Sequence, residues 1–218
     1  MSQLVFKFPF KTTYDEKDFY VSSNNFLAYK LIESWPNWPD KFINIFGTSG
    51  SGKTHLVNIL KKKINPLIID ASDLKKLPFS CKEKNNCLII ENYKNNIEEK
   101  LLYSIINEAI QLNKYILIIS RQPIKSFNLG LKDLKSRLSS FIDLGINLPT
   151  DDLIRVIITK CFSEKQILIN VKILEYILKN IDRSYEKVFK FIEEIDDVSL
   201  SSGKSININL IKKVLKNE

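Results

Sequence analysis

The sequence predicts a parallel α/β domain followed by an all-helical subdomain. Three observations lead to this reading. Short apolar runs at 42–46, 66–70, 87–92, 115–120 and 141–146 alternate with segments of helical period. Strands so uniformly apolar are buried on both faces, which is the condition of a parallel sheet covered by helices. Second, the stretch Phe46-Gly47-Thr48-Ser49-Gly50-Ser51-Gly52-Lys53-Thr54-His55 links the first run to a helix. Third, from Pro149 onward the pattern is helix only.

In chain order, Gln3-Leu4-Val5-Phe6-Lys7-Phe8 opens the protein, and Pro9 stops it from continuing as an interior strand. Two readings stand: an edge strand, or an extended peptide presented to a partner. A helix is expected over 26–35, with Leu27, Leu31 and Ile32 on its apolar face and Ser22, Ser23 or Asn24 as its cap. Trp35-Pro36-Asn37-Trp38-Pro39-Asp40 is a turn-rich connection whose tryptophans pack on the core. The first strand, 42–46, is apolar apart from Asn44, and a helix over 54–64 follows the glycine-rich loop. A strand at 66–70, a short helical segment within 71–79 and a polar loop at 81–86 come next. The strand at 87–92 ends in Glu91-Asn92. An amphipathic helix over 97–112 leads to the strand at 115–120. A short helix lies within 130–139, before the last strand. In the helical part, Thr150 or Asp151 caps one helix, a second begins at Val171, Asp182 caps a third, and 209–215 is the last.

The loop fits G-x-x-x-x-G-K-[ST], and it stands where phosphate binding requires, between a strand end and a helix start. Gly47, Gly50 and Gly52 let the backbone approach a ligand without a Cβ in the way. The N–H groups of Thr48, Ser49 and Ser51 and of the helix start can then point at phosphate oxygens. Lys53 reaches the β- and γ-phosphates and Thr54 ligates Mg²⁺ in such a motif. Glu91 and Ser120 end two strands on the edge where parallel sheets bind their ligands.

The 218 residues suffice for one large domain or a core with a small appendage, and 44 % apolar with 27 % charged residues is ordinary for a soluble protein. No apolar run has the length of a membrane span, and the first residues lack the build of a signal peptide, so a cytoplasmic location and no membrane contact are expected. Three scattered cysteines suggest neither a disulfide framework nor a zinc site. The net charge of +8 is spread over the chain, with Lys61-Lys62-Lys63 as the only run of three, and reads as a solvated surface rather than a nucleic-acid stripe.

Several separated segments resemble the DnaA family of AAA+ ATPases. They are Gln3-Leu4, Asp18-Phe19-Tyr20-Val21-Ser22-Ser23-Asn24-Asn25-Phe26-Leu27-Ala28, Trp35-Pro36-Asn37-Trp38-Pro39, and the loop running into Thr54-His55-Leu56. Further on they are Ser120-Arg121-Gln122-Pro123, Leu134-Lys135-Ser136-Arg137-Leu138 and Asp182-Arg183-Ser184. The resemblance implies a five-stranded parallel AAA+ core over 13–149, a helical lid over 150–218 and a clamp-binding segment over 1–12. It also implies an adenine nucleotide, ADP or ATP, with Mg²⁺ on Thr54 and Glu91. Tyr20, Val21 and Asn25 match the segment lining the adenine pocket, and His55 closes the phosphate loop. Ser120 matches the sensor-1 position, Arg137 the arginine finger reaching a neighbouring subunit's nucleotide, and Arg183 the sensor-2 arginine of the lid. On the residues alone, a surface ion pair is the favoured reading of Arg137, and Arg183 is an ordinary charge near a helix start.

One position departs from the family. Most AAA+ enzymes follow the Mg²⁺-binding acid with a Glu that orients the attacking water; here Asn92 follows Glu91 and cannot act as a carboxylate. Weak intrinsic hydrolysis is therefore expected. Gln3, Leu4, Phe6 and Phe8 resemble the family's motif for the sliding clamp, the β subunit of DNA polymerase III. With no origin-binding helix-turn-helix expected after Glu218, no sequence-specific DNA binding is expected either. The resemblance implies a regulator that promotes hydrolysis of DnaA-bound ATP and prevents re-initiation, with homodimerisation among the arrangements open to it. The competing reading is a self-assembling ATPase such as a helicase loader.

Overall fold

The computed structural model describes residues 16–76, 85–94, 97–203 and 205–216. The chain divides into two compact units, one spanning Tyr14–Asn147 and the other beginning at Leu148. Gln3, Leu4, Phe6 and Phe8, and most of the loop expected at 81–86, lie outside the described residues.

The first unit is a five-stranded sheet: β1 Phe42–Gly47, β2 Leu67–Asp70, β3 Cys87–Tyr93, β4 Tyr115–Ser120 and β5 Ile142–Ile146. All pairings are parallel and the spatial order is β2-β3-β4-β1-β5. Helices α1 Phe26–Glu33, α2 Lys53–Lys63, α3 Glu99–Gln111 and α4 Lys132–Ser139 supply the covering layers. The period-two geometry of the strands sorts their side chains to two faces. Ile43 and Ile45 of β1 and Leu117 and Ile119 of β4 join Leu31, Ile32, Leu56 and Leu60 in one core. Ile116 and Ile118 of β4 and Ile90 of β3 join Leu102, Ile106, Leu134 and Leu138 in the other. Trp38 is buried, its indole N–H donating to the Leu31 carbonyl at 2.8 Å, and its ring meets Trp35 edge-on at 4.9 Å.

The second unit consists of α5 Asp151–Glu164, α6 Val171–Asn180, α7 Tyr185–Ser202 and α8 Ile208–Lys216 around Ile158, Phe162, Ile177, Phe191, Ile195 and Ile211. Its helix starts are capped by side chains: Thr150 Oγ1 accepts from Leu153 N, Asn170 Oδ1 from Lys172 N and Ser184 Oγ from Lys187 N. Gly203, with φ of 63°, ends α7 in the left-handed region. No described helix is long and apolar enough to cross a membrane.

Two expected caps are replaced. The third helix of the second unit is capped by Ser184 rather than Asp182, two residues later. The N-cap of α1 is Asn25, not Ser22, Ser23 or Asn24, and its amide does not bond to the helix. Instead Asn25 Oδ1 accepts from Ser22 N at 2.8 Å and its Nδ2 donates to the Tyr20 carbonyl at 2.9 Å. The amide fixes the preceding bend in place of a helix terminus, a competition open to any Asn before a helix. β3 also runs past its expected end to Tyr93.

Candidate phosphate-binding site

The loop after β1 is shaped by its glycines. A Cβ on Gly47 would stand 2.8 Å from Ser51 Oγ and 2.9 Å from the Ile146 carbonyl. Gly52, the N-cap of α2, has φ of 91°, and a Cβ there would meet the Phe19 ring at 3.0 Å. These two positions require glycine for space and for backbone conformation respectively. Lys53 Nζ donates to the carbonyls of Gly47 and Thr48 at 2.7 Å each, closing the loop on itself.

A pocket of about 180 Å³ opens beside this loop. Ser49, Gly50, Lys53 and Thr54 line it from the loop and α2, Glu91, Asn92, Tyr93 and Lys94 from the end of β3, and Ser120 and Arg121 from the end of β4. Six of the expected site residues thus meet around one pocket: Ser49, Gly50, Lys53, Thr54, Glu91 and Ser120. They do so because Phe46 pairs with Ser120 across β1 and β4, bringing the phosphate loop and the end of β4 to one sheet edge.

The pocket's electrostatics favour an anion. Burial, then the neighbouring Arg121, holds the Lys53 ammonium down to about 8. Burial and the nearby Asp70 charge push the Glu91 carboxyl up. Asp70, which pairs with Glu91 across β2 and β3, is itself held down to about 2, chiefly by the Asn92 amide and by Ser72. Asn92 Nδ2 donates to Asp70 Oδ2 at 2.6 Å. Its φ of 55° places it in the left-handed region, within a bulge between Ile90 and Tyr93. That bulge sets two residues, Glu91 and Asn92, against one on β4.

Ser120 is 2 % exposed and its hydroxyl is committed, donating to the Gln122 carbonyl at 2.7 Å and accepting from Asn44 Nδ2 at 2.9 Å. Asn44, fully buried in β1, also donates to the Ile118 carbonyl and accepts from Ile124 N. The polar residue interrupting the first apolar strand therefore anchors the turn after β4. Its signal in the sequence was its presence in an otherwise apolar strand.

Tyr20 and Val21 are exposed, while Asn25 is buried with its amide spent on the Tyr20–Ser22 backbone. Phe19 brings this segment beside the phosphate loop, its ring meeting His55 edge-on at 5.2 Å. Arg137 is exposed on α4 and does not line the pocket. In the helical unit Arg183 makes a two-pronged pair with Asp151, Nε to Oδ1 at 2.8 Å and Nη2 to Oδ2 at 3.1 Å. That pair raises the guanidinium further above its ordinary range.

No family model matches the chain. Its fold is similar to domain III of the Thermotoga maritima replication initiation protein DnaA, with a TM-score of 0.76 and 19 % identity, covering 96 % of this chain and 98 % of that one. This is an AAA+ fold. The AMPPCP-bound DnaA of Aquifex aeolicus is also similar, with a TM-score of 0.67 and 21 % identity over 86 % of this chain and 66 % of that one. Among curated relatives, the chromosomal replication initiator protein DnaA of Helicobacter hepaticus is 26 % identical over 94 % of this chain and 50 % of its own length. An uncharacterized protein of Haemophilus influenzae is 22 % identical over 91 % of this chain and 92 % of its own length. The chain spans about half the length of the DnaA relatives it matches.

Within the AAA+ core, two charged pocket residues were not among those expected from the sequence. Lys94 follows the β3 bulge, and Arg121 directly follows Ser120. The signal for Arg121 was its place one residue beyond a strand end already singled out.

Proposed function

We propose that this protein is a replication-initiation regulator of the Hda type, a DnaA-like AAA+ protein that binds adenine nucleotide and promotes hydrolysis of ATP on DnaA. The observation that carries the reading is the pairing of a phosphate loop with the acid Glu91 at the end of β3, whose next residue, Asn92, is an amide tied to Asp70. Such a site can hold a nucleotide and lacks the adjacent carboxylate that would activate water. Binding without rapid turnover suits a protein whose nucleotide is a structural ligand.

Mg²⁺ fits the donor set. The Thr54 hydroxyl and Glu91 carboxylate line one pocket as hard oxygen donors, and one carboxylate with phosphate oxygens and water is an ordinary environment for this ion. When bound, Mg²⁺ would neutralise phosphate charge. No group of three or more His, Cys, Asp or Glu able to hold a metal occurs among the described residues.

In this reading Tyr20 and Val21 border the adenine, Arg183 takes the sensor-2 role that the resemblance implies, and exposed Arg137 meets the nucleotide of DnaA. A guanidinium delivered there stabilises the charge of phosphoryl transfer. Gln3, Leu4, Phe6 and Phe8 dock on the DNA polymerase III sliding clamp, an attachment by a short peptide strengthened by multivalency. The test is single-turnover hydrolysis of ATP preloaded on DnaA, with clamp-loaded DNA. Acceleration that needs this protein and is lost with Arg137→Ala, and weakened with Gln3→Ala, is expected. No acceleration with either ADP or ATP supplied would favour the helicase-loader reading.

A further inference from the structure

Helix α4, which carries Arg137 in its last turn, is eight residues long. A helix so short is marginal by itself and takes its shape from what packs on it. Leu134 and Leu138 are buried with Ile116 and Ile118 of β4 and hold one face. The start of the helix is a separate matter. Its N-cap is Leu131, whose side chain makes no capping bond and has no atom able to accept one.

A carboxylate from another helix fills that place. Glu99, the first residue of α3, accepts from Gly130 N at 3.0 Å through Oε1 and from Leu131 N at 2.6 Å through Oε2. Both oxygens of one side chain are spent on two successive backbone donors, 31 and 32 residues away in sequence. Bonds to an ionised carboxylate are the strong ones, and this charge stands at the positive ends of α3 and α4 together. The same segments are pinned a second time. Tyr93, at the end of β3, meets the Phe127 ring edge-on at 5.2 Å, and Phe127 begins the loop that leads to Gly130. The start of α4 is thus tied to the end of β3 by a ring contact and to α3 by a carboxylate, while Arg137 stays exposed further along. A guanidinium that must meet a phosphate on another molecule needs such a fixed base, because a displacement of about 1 Å can cost about a hundredfold in rate.

We infer that Glu99 is a positioning residue for Arg137: it caps α4 from α3 and fixes the direction in which the guanidinium leaves the surface. The inference rests on the role given to Arg137 above. Glu99 acts through the helix and touches no nucleotide.

The test compares the full-length wild type with Glu99→Ala, Glu99→Gln, Arg137→Ala and the Glu99→Ala/Arg137→Ala double variant, each with a melting curve. Amide hydrogen exchange over residues 130–137 is expected to quicken about fivefold or more in Glu99→Ala, the size of a lost cap. Single-turnover hydrolysis of DnaA-bound ATP is then titrated with each protein on clamp-loaded DNA. Glu99→Ala is expected to lower the maximal rate about tenfold or more, while the half-saturating concentration moves less than about threefold. Glu99→Gln keeps one acceptor oxygen without the charge; it is expected to fall between, with the same split, and carries the test should Glu99→Ala not fold. The double variant is expected to be no slower than Arg137→Ala alone, since both changes act through one guanidinium. Unchanged exchange in Glu99→Ala would overturn the inference, as would losses that multiply in the double variant. An unchanged rate in both Glu99 variants, beside a wild type that still depends on Arg137, would overturn this inference alone. A wild type that does not accelerate hydrolysis on DnaA would overturn the role of Arg137 and this inference together.

Discussion

Replacing Asn44 with alanine removes three hydrogen bonds from the centre of the sheet. The Asn44 amide donates to Ile118 O and Ser120 Oγ at 2.9 Å and accepts from Ile124 N at 3.2 Å. Both Asn44 and Ile124 are fully buried, so the Ile124 N–H has no water to turn to. Leaving such a donor unpaired costs about 1–3 kcal/mol, and the two donated bonds add roughly 0.5–1.5 kcal/mol each. A net loss of about 2–4 kcal/mol is expected, allowing for relaxation around the smaller side chain. For a chain of this size that lowers the melting temperature by roughly 5–15 °C. The assay is urea unfolding followed by tryptophan fluorescence, since Trp35 and Trp38, the only tryptophans, both belong to the sheet unit. Asn58→Ala, which removes only an exposed bond to the Thr54 carbonyl, is the control and shifts stability by less than about 0.5 kcal/mol. An Asn44→Ala variant as stable as that control would refute the anchoring role of Asn44.

Lys53 gives a pH signature. Its folded value of about 8 lies below the ordinary lysine value of 10.5, so between the two the unfolded chain carries more protons, and stability contributed by this group rises as pH rises through that window. Phosphate favours the charged ammonium, so nucleotide binding near pH 8.5 takes up a proton, and affinity falls as pH climbs further. Titration in buffers of different ionisation enthalpy measures the uptake, which Lys53→Met abolishes; identical uptake in the variant refutes the assignment. Gly52→Ala forces a side chain into φ of 91° and against Phe19, so it destabilises the protein by about 1 kcal/mol or more and impairs nucleotide binding. A stable, fully binding variant contradicts this. Arg183→Ala leaves the melting curve unchanged, because its pair with Asp151 is exposed, and weakens ATP binding several-fold if Arg183 has the sensor-2 role proposed for it. Unchanged affinity would return Arg183 to a surface ion pair.

The apolar runs made the five strands legible, because strands buried on both faces admit few polar residues. The glycine-rich loop was legible for a related reason: its backbone needs glycine where a Cβ would collide. Caps were less legible. Asp182, Ser184 and Asn25 are all competent capping residues, and choosing among them depends on where the chain bends, which tertiary contacts decide. The tie from Asp70 to Asn92 crosses 22 residues and a β-bulge, so no local pattern reveals it. Arg121 was hidden for a different reason. Its neighbour Ser120 carried the expectation, and only the packing around Asn44 shows that the Ser120 hydroxyl is already committed.

The intrinsic turnover of ATP by the isolated protein, measured with Mg²⁺ at saturating nucleotide, tests most directly whether this site binds without working as an enzyme. With Asn92 in place of a carboxylate and its amide donated to Asp70, turnover is expected far below the ordinary enzyme rate of about 10 per second. Turnover above roughly one per second, lost on Lys53→Ala, would contradict the reading and make the protein an ATPase in its own right.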